Sequence, residues 1–92
     1  WGSYNTIKGS CGHDNISNVG YNNYVNGNSG WDNIANWGSY NTVKGSCGRD
    51  NIFNSGYGNY VNGGCGRDFI SNFGFNNIVR NCHDFFANFG WC

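Results

Sequence analysis

Gly45-Ser46-Cys47-Gly48-Arg49-Asp50-Asn51-Ile52-Phe53-Asn54-Ser55-Gly56-Tyr57-Gly58-Asn59-Tyr60-Val61-Asn62 is one complete copy of the pattern that organises this chain. Written as G-x-x-G-x-D-x-I-x-N-x-G-x-x-N-x-V-x, it recurs every 18 residues to either side. Asp14, Asp32, Asp50 and Asp68 keep this step, as do Ile16, Ile34, Ile52 and Ile70. Asn18, Asn36, Asn54 and Asn72 follow, and then Gly20, Gly38, Gly56 and Gly74. A second set contains Asn5, Asn23, Asn41, Asn59 and Asn77, with Ile7, Val25, Val43, Val61 and Val79 two places later. Residues 37–72 repeat residues 1–36 with 26 of 36 positions identical, and the two halves of each unit resemble each other at a step of nine.

D-x-I-x-N and N-x-V-x both alternate with period two, which places Asp, Ile and Asn on one face of a strand. Glycine clusters between the strands supply the backbone conformations that tight corners need. The expectation is an all-β parallel solenoid of about five 18-residue turns, two short strands per turn, with equivalent residues stacked one strand spacing (about 4.8 Å) apart. The Ile and Val columns form a narrow dry centre. The inward Asn of both sets would stack into amide ladders, which satisfy polar groups that cost a few kcal/mol each when buried alone. The bland alternative for these Asn residues is turn formation. One solenoid domain is expected over 1–92, regular over 1–80 and irregular over 81–92. In the last turn Cys82 to Gly90 matches Gly66 to Gly74 two residues early, as befits a terminal repeat.

Composition agrees. Leu, Glu, Gln, Met and Pro are absent, and 19 Asn with 16 Gly make 35 of the 92 residues, which disfavours helix. Zero net charge argues against a nucleic-acid partner. No apolar run approaches the roughly 20 residues of a membrane span. The chain begins at Trp1, and no signal peptide is visible, which suggests a processed mature chain or a trimmed one. Five cysteines point to an oxidising, extracellular location for a secreted protein.

Three columns are candidate sites. Stacked Asp14, Asp32, Asp50 and Asp68, followed by Asp84, would repel one another unless Ca²⁺, corner N–H groups or neighbouring cations intervene. His13, Arg49, Arg67 and His83 stand one position before an Asp. Cys11, Ser29, Cys47 and Cys65 form a second column, in which Cys47–Cys65 could be bridged. Cys65–Cys82 competes with that pairing, packed free thiols are an equal alternative, and Cys92 could close the end or link chains. A zinc site fits poorly, because the chain has no C-x-x-C and only two His. The third group is aromatic. Tyr4, Tyr40, Trp1, Trp37, Tyr21, Tyr57 and Phe75 lie near the Asn-side corner, while Tyr24 and Tyr60 share a column with Thr6 and Thr42. They read as corner packing or as an exposed stripe for another filament, a sugar or ice. Tyr4, Tyr24, Tyr40, Tyr60, Trp1 and Trp91 are the chosen contact residues. Catalysis is not expected: a narrow solenoid offers no deep pocket, and Cys82 and His83 would point to opposite faces of a strand.

The run I16-x-N18-x-G20-x-x-N23-x-V25 resembles the curlin repeat of bacterial functional amyloids, with Asn where that repeat has Gln and with a shorter period. This resemblance implies extracellular fibres of stacked strand–turn–strand units. G63-G64-C65-G66-R67-D68-F69-I70-S71 resembles the calcium-binding nonapeptide of RTX β-rolls, as G9 to S17 does less fully. That implies Ca²⁺ between turns at the Asp column, on one side only, since the opposite corner carries Asn. S39-Y40-N41-T42-V43-K44-G45 is similar to the xxNxVxG repeat of ice-binding solenoids, which implies a flat outward array. Here the matching column is Thr6, Tyr24, Thr42, Tyr60 and Ile78, which is not uniform. The leading expectation is a structural protein whose only partner is itself, polymerising head-to-tail because the repeat begins without an evident cap. Ice binding and a calcium roll are the alternatives, and no cofactor other than calcium is expected.

Overall fold

Glycine and αL residues break each 18-residue unit into three extended segments, and in the computed structural model each segment pairs with its copies one turn away. The structure describes residues 2–80, together with the backbone of 85–91. In chain order the strands are β1 (Gly2–Ser3), β2 (Thr6–Lys8), β3 (Cys11–Gly12), β4 (Asn15–Tyr21), β5 (Tyr24–Asn26), β6 (Ser29–Gly30), β7 (Asn33–Ser39) and β8 (Thr42–Lys44). They continue as β9 (Cys47–Gly48), β10 (Asn51–Tyr57), β11 (Tyr60–Asn62), β12 (Cys65–Gly66), β13 (Phe69–Phe75), β14 (Ile78–Arg80) and β15 (Phe85–Trp91).

The fold is an all-β parallel solenoid of about four turns of about 18 residues. Three parallel sheets form its sides: a long-strand sheet ordered β1-β4-β7-β10-β13-β15, a short-strand sheet β14-β11-β8-β5-β2, and a two-residue corner sheet β12-β9-β6-β3. Register is strict. Ile16 pairs with Ile34, Ile34 with Ile52 and Ile52 with Ile70, while Val25, Val43 and Val61 align on the opposite side. In the last turn Phe69 pairs with Phe85, a step of sixteen, so β15 keeps its place in the sheet although the repeat before it is two residues shorter in sequence. A third strand per turn was not expected. The Cys-Gly or Ser-Gly dipeptide of the G-x-x-G corner is extended enough to form its own ladder.

The interior is thin. The molecule is a slab with principal extents of 29 × 26 × 14 Å. Its apolar centre consists of Ile16, Ile34, Ile52 and Ile70 facing Val25, Val43 and Val61, with Ile7 and Val79 partly buried at the ends. β-branched side chains suit this role because they are stiff and pack well on a pleated surface. The Gly20, Gly38, Gly56 and Gly74 column lies one residue before the ends of the long strands. Gly56 has φ +142°, and a Cβ there would run into the carbonyl of Gly38, so only glycine allows the turns to stack at this corner.

Candidate functional site

The inward polar residues divide into three columns with different chemistry. In the middle of the long strands, Asn18 Nδ2 donates to Asn36 Oδ1 at 2.6 Å, Asn36 to Asn54 at 2.7 Å, and Asn54 to Asn72 at 2.7 Å. This is an amide ladder along the solenoid axis, fully buried beside the Ile column. The ladder has a direction, and at one end Asn18 Oδ1 is a buried acceptor with no hydrogen-bond partner among the described residues.

The second Asn column is not an amide-to-amide ladder. Asn5, Asn23, Asn41 and Asn59 donate their backbone N–H to Oδ1 of Asn23, Asn41, Asn59 and Asn77, each at 2.8 Å. The Nδ2 groups of Asn23, Asn41, Asn59 and Asn77 donate to the carbonyls of Gly2, Gly20, Gly38 and Gly56 at 2.8–3.1 Å. These residues follow an αL corner at Tyr4, Asn22, Tyr40, Gly58 or Asn76. There the backbone leaves the strand, and its N–H needs an acceptor that the sheet cannot supply.

The Asp column, nine residues away, bonds the same way through one oxygen. Asp14, Asp32 and Asp50 donate N–H to Oδ1 of Asp32, Asp50 and Asp68 at 2.9–3.0 Å. Asp14 Oδ2 accepts the Ser10 N–H at 2.6 Å, and Asp32 Oδ2 is buried without a hydrogen-bond partner. The other carboxylate oxygens of Asp14, Asp32 and Asp50 lie against Gly9, Gly27 and Gly45, where any Cβ would collide with them. The carboxylates thus point inward onto backbone. Among the described residues no three His, Cys, Asp or Glu side chains are grouped to hold a metal ion. Outside the column, His13 meets the Trp31 ring edge-on at 5.4 Å, and the Arg49 guanidinium lies 5.5 Å above it.

Cys47 and Cys65 pair in register, and both are exposed free thiols, as is Cys11. The disulfide considered from the sequence is not formed. In-register parallel strands hold equivalent Cβ atoms about 4.8 Å apart, beyond the roughly 3.5–4.5 Å of a disulfide. Cys82 and Cys92 lie outside the described residues.

Of the contact residues chosen from the sequence, Tyr4 and Tyr40 stand exposed at αL corners, while Tyr24 and Tyr60 lie half-buried on the short-strand sheet, with Lys44 Nζ 5.7 Å above the Tyr24 ring. Trp1 and the Trp91 side chain lie outside the described part. The main aromatic surface is elsewhere, on the outer face of the long-strand sheet. It carries Tyr21, Trp37, Phe53, Tyr57, Phe69, Phe73 and Phe75, all exposed. The outward positions of β4, β7, β10 and β13 contain no charged residue. The outer short-strand face carries Lys8, Lys44 and Arg80. The signal was present in the x positions of D-x-I-x-N-x-G. No single column there is uniform, so a search by column overlooks the face.

No protein-family model, curated protein or solved structure matches this chain.

Proposed function

We propose that this chain is an extracellular structural protein that stacks end to end into β-solenoid fibres, in the manner of the curlin-like repeats it resembles, and that it has no catalytic role. The observation that carries this reading is the strict 18-residue register, in which the Asn18, Asn36, Asn54 and Asn72 amides bond along the axis and each strand pairs with its own copies in parallel. A repeat that already pairs with copies of itself in this register is a template for further copies, and a heterologous contact that does not close produces a filament. The secreted location belongs to the same proposal and goes with the fibre reading, since the described cysteines are free thiols. Electron microscopy of concentrated protein tests it: unbranched fibres are expected, and dispersed particles alone at every concentration overturn it.

The calcium reading has less support, because Oδ1 in the Asp column is already occupied by backbone N–H groups. Unchanged thermal melting in EDTA is the expected result. The ice reading has less support as well, because the Thr6 column is interrupted by Tyr24, Tyr60 and Ile78. The expected thermal hysteresis is nil.

A further inference from the structure

We infer that the aromatic outer face of the long-strand sheet is a second, lateral interface, and that its occupant is the same face of another copy of this chain. The face is unusual for a protein with so much polar surface. Trp37, Phe53 and Phe73 form a continuous zigzag across three strands, with centroids 5.6 and 5.3 Å apart, and remain 43%, 36% and 36% exposed. Phe69 and Phe75, at the two ends of β13, widen the patch along that strand. Contiguous exposed apolar surface of this kind marks an interaction site.

Three observations choose the occupant. The first is area. Five seven-residue strands make up the sheet with β1, and at about 4.8 Å per strand and about 3.3 Å per residue they span about 550 Å². Two such faces bury about 1,100 Å², which meets the minimum of roughly 1,000 Å² for a specific dimer. The second is charge. Every outward side chain described on this face is neutral, so two copies meet without like-charge repulsion, whereas the cations of the short-strand face would oppose one another there. The third is the character of the rings. The three rings are tilted against each other by 49° and 38°, and phenylalanine supplies no polar atom. Rings tilted in this way offer no coplanar platform for a flat sugar ring to stack on, whereas a second sheet interdigitates with them at the usual separation of about 10 Å.

This inference does not depend on end-to-end stacking, and the two produce different assemblies. Face pairing related by a two-fold axis closes at two copies, while end stacking does not close. Sedimentation equilibrium of the full chain over a concentration series separates them. A reversible particle of twice the 10.2 kDa chain mass is expected. The test variant is Phe53→Ser with Phe73→Ser, chosen because the same columns already accept Ser71 and Ser55. It is expected to weaken the dimer by about 100-fold while the far-ultraviolet circular dichroism and melting cooperativity stay as in the parent. Should that variant fold poorly, Phe73→Lys alone is the substitute and is expected to have the same effect by placing a charge in a dry interface. Tyr60→Lys, on the opposite face, is expected to leave the dimer intact. Three results overturn the inference: a monomer throughout the series, association unaffected by the Ser variant, or a monomer that is retained on insoluble polysaccharide.

Discussion

Asn54 and Asn59 are five residues apart, equally buried and repeated at every turn, yet they are used in different ways. Asn54 sits in the middle of β10, where both sides of its backbone belong to the parallel ladders with β7 and β13. Only side-chain partners remain, so its amide bonds the amides of Asn36 and Asn72. Asn59 sits between β10 and β11, just after Gly58 at φ +68°. Its Oδ1 accepts the Asn41 N–H, and its Nδ2 donates to the Gly38 carbonyl. One residue type therefore links turns in the strand and satisfies the backbone at the corner. What separates the two roles is where the backbone hydrogen bonds go, not the burial of the side chain.

The same substitution at both sites should expose the difference. Asn54→Asp is expected to have the largest effect, a loss of about 4 kcal/mol, because it buries a charge and removes the donor to Asn72 Oδ1. Against a total stability of about 5–15 kcal/mol, this leaves a marginal fold. Chemical denaturation measures it. The deficit relative to the parent at the same pH should shrink in acid. Burial raises a carboxyl's pKa, so the cost is absent below the unfolded-state pKa and grows as pH rises through the folded one. A protonated carboxyl can also donate to Asn72 as the amide did. Equal losses at acid and neutral pH would show that packing rather than charge sets the cost.

Asn59→Asp is expected to cost less, about 2 kcal/mol. The charge is buried here too, but Oδ1 keeps the Asn41 N–H as a backbone donor, and the bond lost is the part-buried one to the Gly38 carbonyl. The Asp column on the opposite corner already works with the carboxylate form of this arrangement. If Asn59→Asp proved as damaging as Asn54→Asp in the same denaturation series, the division between corner and strand would be wrong.

The period, the register and the Ile/Val centre were legible in the sequence because a solenoid places equal residues above one another, so an 18-residue step is itself a contact map. The Asn18 ladder was legible because it lies on the alternating stretch between Ile16 and Gly20. The bonding of the Asn23 column was not, since N-x-V alternates just as I-x-N does. Nothing in that pattern shows that the chain turns through αL at Asn22 immediately before it. The corner strand at Cys47–Gly48 was hidden for a similar reason, because a G-x-x-G run reads as a break and not as two paired residues. The aromatic face was hidden by its irregularity: Val19, Trp37, Ser55 and Phe73 share one column, and what they have in common is only the absence of charge.

The smallest effect tests whether the Asp corner needs its charge at all. Asp32 sits between Asp14 and Asp50 in the stack and is buried, with Oδ1 taken by the Asp14 N–H and no hydrogen bond to Oδ2. Asp32→Asn keeps the acceptor and makes the Asp32 corner resemble the Asn23 corner. It also removes one member of a row of like charges and the desolvation of that charge. Stability should therefore rise by about 1 kcal/mol, or about 4–8 °C in Tm for a chain of this size. Melting with and without calcium decides between two roles. A rise in Tm that calcium does not alter makes the column a backbone clamp in which Asn can replace Asp. A fall in Tm, coupled to loss of a calcium-dependent increase in the parent, makes the carboxylates ligands, and the likeness between the two corners then ends at their shared use of Oδ1.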